Sequence, residues 1–339
     1  MNLKENINKL FPALITVSIV TFLLISFYRG KELLKKSEKE ITPQFHQNES
    51  NATQYELKEI DPITGLLRWQ LVAKEGNTQN NLQNALIKDI EVTVFKGKEV
   101  IFNLKAPLAK ANSTTKEIIL EGGVITKNKD ESLILTSNRL SLSMGTSLEA
   151  IDGFSLLLKE SGTLTGQSVV INEEQTKVKI KDLKNAVLKD ISISGNNVYL
   201  EKDNKNEIQK AIITNGGKIT LKNNDTLSAN IIEWNHNGKI KAEKNIIFSS
   251  NSKLIRAGSL IINSDNSLYA DNNVVILDGD TKCSGKKLSY KNNSIIEITG
   301  NPKATQGNKV ISANKILYDS NLKKLQALGN VKTMVIPKA

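Results

Sequence analysis

Ala257-Gly258-Ser259-Leu260-Ile261-Ile262, Gly285-Lys286-Lys287-Leu288-Ser289-Tyr290 and Ala313-Asn314-Lys315-Ile316-Leu317-Tyr318 share one pattern, a small residue followed three and five positions later by apolar ones. They begin 28 residues apart. Upstream the pattern occurs as Ser137…Leu140…Leu142, Gly166…Val169…Ile171, Gly195…Val198…Leu200 and Ala229…Ile232…Trp234, at intervals of 29, 29, 34 and 28 residues. A fixed period of this length marks a repeat architecture. Roughly sixteen residues after most of these starts comes a second mark, a turn residue leading into an apolar one: Gly153-Phe154, Asn185-Ala186-Val187, Asn245-Ile246, Asn273-Val274, Gly300-Asn301 and Gly329-Asn330-Val331. Ala106 to Gly122-Gly123-Val124 is an earlier unit with the first mark blurred. Two strands of about ten to twelve residues and two turns fill such a period.

Within the units the side chains alternate, as half-buried strands require. Leu67, Trp69, Leu71 and Ala73 share one face, as do Val100, Phe102 and Leu104, and then Ile118, Leu120 and Val124. Asn, Gly, Asp and Lys fill the gaps, which suits turns that need left-handed backbone. The fold class that follows is all-β, built from repeated antiparallel strand pairs. The 34-residue interval contains the polar run Glu201-Lys202-Asp203-Asn204-Lys205-Asn206-Glu207, read either as a long hairpin or as a boundary between subdomains.

Composition excludes several function classes. Cys283 is the only cysteine, so neither an intramolecular disulfide nor a cysteine zinc cluster is available. Two histidines, His46 and His236, and four arginines, Arg29, Arg68, Arg139 and Arg256, supply few acid–base groups. No repeat concentrates paired carboxylates, so no catalytic residues, metal or cofactor are expected. Lys+Arg number 46 against 35 Asp+Glu, a net charge of +11, but the lysines are scattered and few aromatics interleave with them. A nucleic-acid groove needs a concentrated stripe, so no nucleic-acid partner is expected.

At the N-terminus, Leu10 to Tyr28 carries no charged side chain. Nineteen helical residues span roughly 28 Å, the thickness of a bilayer core. The following Phe27-Tyr28-Arg29-Gly30-Lys31 offers no A-x-A-like cleavage site, which favours an uncleaved anchor over a signal peptide. The expected organisation is a tail over 1–9, a transmembrane anchor over 10–28 and a tether over 29–52, followed by the β-repeat. Lys4 and Lys9 precede the anchor whereas Arg29, Lys31, Lys35, Lys36 and Lys39 follow it. The positive-inside rule alone would place the large C-terminal part in the cytoplasm.

The chain resembles the periplasmic lipopolysaccharide-transport proteins. An anchor, a tether and then Gly65-x-Leu67-x-Trp69-x-Leu71-x-Ala73 is similar to the opening of LptC, as is Ile119-Leu120-Glu121-Gly122-Gly123-Val124. Ser312-Ala313-Asn314-Lys315-Ile316-Leu317-Tyr318-Asp319, Ala327-Leu328-Gly329-Asn330-Val331 and Glu297-Ile298-Thr299-Gly300-Asn301-Pro302-Lys303-Ala304 resemble LptA and the OstA-type domain. The resemblance implies an LptC-like unit over 53–205 and an LptA/OstA-like unit over 206–339. Each would be an open, twisted β-jellyroll enclosing an apolar groove for the acyl chains of lipid A. It also implies an inner-membrane ABC transporter upstream, an LptA-like bridge protein or outer-membrane translocon domain downstream, and a periplasmic location for the C-terminal domain of a single-pass inner-membrane protein.

Exposing several acyl chains to water costs tens of kcal/mol at about 0.8 kcal/mol per methylene. A sheet whose every second side chain faces one way supplies an apolar trough that removes this cost. The candidate lining residues are Leu67, Trp69, Leu71, Val92, Val94, Phe102, Leu104, Ile118, Leu120, Leu133, Leu135, Leu140 and Leu142. The final run from Lys324 to Ile336 is the candidate edge for pairing with the next module. Two other readings of the repeat are a β-solenoid adhesin or scaffold without a lipid site, and a carbohydrate-active β-helix enzyme.

Overall fold

The computed structural model describes residues 52–78, 84–112, 117–142, 147–188, 191–203, 205–291 and 294–336, and their regular structure is all β-strand. The tail, the anchor segment and the tether through residue 51 lie outside the described residues. No helix among the described residues is long and apolar enough to cross a membrane.

The chain forms an antiparallel meander. Its first strands are β1 (Ala52–Ile60), β2 (Leu67–Thr78), β3 (Asn84–Lys96), β4 (Glu99–Asn112), β5 (Glu117–Asn128) and β6 (Leu133–Leu142). There follow β7 (Leu148–Leu158), β8 (Gly162–Ile171), β9 (Lys177–Leu188), β10 (Ile191–Lys202) and β11 (Ile208–Leu221). Next are β12 (Thr226–Ala229), β13 (Ile231–Asn235), β14 (Ile240–Ser250), β15 (Lys253–Ile262), β16 (Leu268–Asp278) and β17 (Thr281–Tyr290). The last are β18 (Ile295–Thr299), β19 (Lys303–Gln306), β20 (Lys309–Ser312), β21 (Lys315–Asp319), β22 (Lys324–Leu328) and β23 (Lys332–Val335).

Each strand from β1 to β11 pairs with the next. β12 and β13 are two halves of one interrupted strand, since both lie between β11 and β14. β18 and β19 likewise both pair with β17, and the halves continue to the C-terminus as β18–β21–β22 and β19–β20–β23. The polar run Glu201–Glu207 joins β10 to β11, whose pairing extends from Ile191 opposite Leu221 to Lys202 opposite Ile208.

The repeat marks have a different origin from the one the sequence suggests. The turn-residue marks Gly122-Gly123, Gly153, Asn245, Asn273, Gly300-Asn301 and Gly329-Asn330 are not hairpin turns. They have positive φ and lie midway along a strand, where the chain bends. Register shifts flank them, as between Glu121 and Val124, Glu243 and Ile246, and Asp271 and Val274. Left-handed residues suit bulges as well as turns, so composition does not separate the two. The small-residue mark sits opposite the bend on the neighbouring strand. A Cβ on Gly195 would lie 2.4 Å from the side-chain Cγ2 of Ile213 and 3.2 Å from the backbone Gly216 O, so the crossing strand leaves no room for a side chain there. Hairpins fall elsewhere, commonly with a left-handed residue closing a tight turn. In the β15–β16 turn Asn266 N donates to Asn263 O and Asn263 N to Ser267 O, with Asn266 at φ 61°.

The bends fold the meander over. A strand of twelve residues is about 40 Å long, so in a flat meander alternate hairpins would lie that far apart on opposite rims. Hydrogen bonds instead join the two rims. Asn128, beside the β5–β6 turn, donates to Gln175 of the β8–β9 turn, and Gln175 donates to Ile101 O near the β3–β4 turn. Asn206 of the β10–β11 turn donates to Ser132, and its carbonyl accepts from Ser161 Oγ at 2.8 Å. Inward-facing residues of both halves form a single buried cluster between the layers. The architecture is that of a β-jellyroll-like roll.

Candidate functional site

Two lines of apolar side chains run across the strands through the interior. On one half of the bent strands, cross-strand partners follow from Leu71 through Val92, Leu104, Thr126, Leu135, Leu156, Leu164, Ala186 and Ile193. They continue through Ile219, Leu227, Phe248, Ile255, Ile276 and Cys283 to Ala304. At about 4.8 Å per strand this line is roughly 70 Å long. On the other half the partners run from Ile87 through Ala109, Leu120, Leu140, Ala150, Val169, Ile180, Val198 and Ile213. They go on through Ile232, Ala242, Leu260, Ala270, Leu288 and Ile298 to Ile316. All are buried, and all but Thr126 and Cys283 are hydrocarbon.

The residues expected to line the trough all belong to this interior or its margin. Trp69 and Leu71 on β2, Val92 and Val94 on β3, Phe102 and Leu104 on β4, Ile118 and Leu120 on β5, and Leu133, Leu135, Leu140 and Leu142 on β6 are buried. Leu67, at the start of β2, is half-buried. The expected set stops at Leu142, whereas both lines continue without a break to β19 and β21. The alternation that found the first half is equally present in the second, for example in Ile240-Lys241-Ala242, buried, exposed and buried in turn.

The seam where the rims meet carries the charged chemistry, which alternation does not reveal. At the β10–β11 turn, near the middle of the meander, buried Lys202 donates to Asn206 Oδ1. Burial brings the Lys202 pKa down to about 8, against the opposing pull of Asp203 and Asp130. Near the C-terminal end, Asp278 has a fully buried side chain that accepts from Lys323 Nζ, from Tyr318 OH at 2.8 Å and from Ser252 Oγ at 3.0 Å. Burial alone would raise the Asp278 pKa, but these donors together hold it below the usual carboxylate value. Burial, with the Asp278 charge adding to it, raises the Cys283 thiol to about 12, so this cysteine is an inert part of the apolar line. Lys253 Nζ also reaches Ser320 Oγ at 2.9 Å.

The ends of the meander present edges. β1 pairs with β2 alone, and β22 and β23 pair only inward, with β21 and β20, among the described residues. Val331, Met334, Val335 and Ile336 near the C-terminal edge are 51%, 62%, 57% and 49% exposed.

Residues 13–186, just over half of the chain, match the family described as lipopolysaccharide-assembly, LptC-related. The chain belongs to this family. Residues 222–324 match the LptA/(LptD N-terminal domain) LPS transport protein family. The chain is therefore a lipopolysaccharide-transport protein of the LptC/LptA type, a class of non-enzymatic bridge components that are periplasmic or inner-membrane associated. Among solved structures it is similar to LptH, the LptA-homologous periplasmic component of the lipopolysaccharide transport device of Pseudomonas aeruginosa. That similarity is at 12% identity and a TM-score of 0.32, over 33% of this chain and 95% of that one. No curated protein matches the chain.

Proposed function

We propose that this protein is an inner-membrane-anchored periplasmic bridge component that accepts lipopolysaccharide from an ABC transporter and passes it through its apolar interior toward the outer membrane. The observation that carries this reading is the pair of unbroken apolar lines, which offer acyl chains a low-cost path across an aqueous compartment. Leu67, Trp69, Leu71, Val92, Val94, Phe102, Leu104, Ile118, Leu120, Leu133, Leu135, Leu140 and Leu142 line the receiving end. In this reading 10–28 is the transmembrane anchor, 53–205 the LptC-like unit and 206–339 the LptA/OstA-like unit. The exposed apolar residues of the C-terminal edge receive the next jellyroll by edge-strand pairing. The lysines that follow the anchor oppose a periplasmic location by simple count; translocation of long domains is largely insensitive to such charges.

A photo-crosslinker at Phe102 or Leu120, in cells with an active transporter, is expected to trap lipopolysaccharide. Failure to form an adduct at every interior position would sink the lipid path. Protease is expected to reach the C-terminal part in spheroplasts; protection there would place it in the cytoplasm and overturn the topology.

A further inference from the structure

The interior contains two hydroxyls that the fold leaves unused. Thr126 is 0% exposed and Ser137 is 7% exposed, and among the described residues neither Oγ1 of Thr126 nor Oγ of Ser137 has a hydrogen-bond partner. They are close together. Thr126 on β5 lies opposite Leu135 of β6, and Val124 lies opposite Ser137, so the two hydroxyl-bearing residues are diagonal neighbours on one inward face. Diagonal neighbours are about 7–8 Å apart, near enough for one small group to meet both. Around them are Leu104, Leu135, Val124 and Phe154, all buried.

An apolar core needs no hydroxyl here. Valine fits where threonine does and alanine where serine does, and either would avoid leaving a buried polar group unpaired. A purely hydrocarbon ligand would also be better served by those residues. A charged headgroup is equally unsuited, because these surrounding side chains include neither a cation nor an anion. The chemistry left is a small, neutral hydrogen-bond acceptor embedded in hydrocarbon. A fatty-acyl ester or amide carbonyl has that character, because its oxygen accepts while alkyl chain continues beside it.

We propose that Thr126 and Ser137 form a polar subsite that donates hydrogen bonds to the carbonyl oxygens of acyl linkages as a lipid occupies the interior. This rests on the lipid-transport reading above and adds a chemical preference to it, for acyl-linked over ether-linked lipids. The hydroxyls are buried, so a carbonyl would reach them when a lipid parts the two layers.

The test compares the full chain with its Thr126→Val/Ser137→Ala variant. Equilibrium binding is measured with acyl-linked lipid A and with a synthetic analogue in which ether links replace the acyl links. The double variant is expected to bind acyl-linked lipid A about tenfold more weakly, from the loss of two modest hydrogen bonds, and the ether analogue as well as before. The unliganded variant is expected to melt at the same temperature or higher, since it no longer buries unpaired hydroxyls. Equal affinity of variant and wild type for the acyl-linked lipid would overturn the subsite while leaving the lipid path standing. A parallel loss for both lipids, or a lowered melting temperature, would also overturn it, because the hydroxyls would then serve the fold. Wild-type protein that binds neither lipid would overturn the path and the subsite together.

Discussion

Replacing Asp278 by alanine tests whether the seam is held by its polar contacts. The substitution removes the acceptor of three hydrogen bonds, from Lys323, Tyr318 and Ser252. Breaking a buried charge pair by deleting one partner costs about 3–5 kcal/mol when the survivor stays buried. Here the Lys323 side chain is 46% exposed, so water takes over most of its share. The fully buried Tyr318 hydroxyl loses its carboxylate acceptor, at about 1–3 kcal/mol, and Ser252 loses about 0.5–1.5 kcal/mol. The expected loss is therefore about 2–4 kcal/mol. For a β-unit of this size, with an unfolding entropy of roughly 0.6 kcal/mol/K, that lowers Tm by about 3–7 °C. The effect is local in a repeat structure, so amide hydrogen exchange is expected to speed up at 278–281 and 318–324 before it does in β2 to β6. Acid is expected to act in the same way on the wild type. The folded pKa of Asp278 is depressed, so its contribution is complete above the unfolded value of about 3.9 and disappears as pH falls through the lower folded value. Wild-type protein is thus expected to lose this contact only below about pH 4, and Asp278→Ala to lack that transition. A Tm within about 1 °C of wild type, with unchanged exchange in both turns, would refute the idea that this cluster holds the seam.

Two further substitutions probe the bends and the interior. Gly195→Ala places a Cβ 2.4 Å from Ile213 Cγ2 and 3.2 Å from Gly216 O, and is expected to destabilise by about 1–3 kcal/mol in urea unfolding; an unaffected midpoint would show that the bend is not fixed by close backbone approach. Phe102→Ala removes a fully buried ring and is expected to cost about 3–5 kcal/mol. A loss under about 1 kcal/mol, measured the same way, would mean that the interior is loosely filled rather than packed.

The period and the alternation were enough to read an antiparallel β-repeat and to choose inward-facing residues. Trp69, Leu71 and Leu120 are buried because strand periodicity is a direct consequence of backbone geometry. The bends were harder, since Asn273 or Gly300 looks the same whether a strand ends there or kinks and continues. The seam was invisible for another reason. Asn206 and Ser132 are 74 residues apart, and nothing local in either turn announces that they meet. Asp278 and Lys323 lie 45 residues apart in different turns, and only the folding-over of the meander brings the half-exposed lysine to the buried carboxylate.

A closed interior changes what lipid entry demands. The candidate lining residues other than Leu67 are buried, so on the proposed lipid path an acyl chain would exchange contacts with them rather than fill an open trough. The exchange of one hydrocarbon contact for another is nearly balanced, and the main opposing term is separation of the rims. The strands themselves need not unpair, because their backbone hydrogen bonds run along the sheet and, among the described residues, the seam is crossed by contacts that involve side chains. Each neutral contact contributes about 0.5–1.5 kcal/mol and each charged one about 1.5–3 kcal/mol, less than the pairing of a long strand. A lipid occupying a few repeats would therefore part only the turns beside it, and the seam would close behind as it moved on. Local opening of this kind follows from a nearest-neighbour repeat held by many weak latches, and it allows net transport without any unit unfolding.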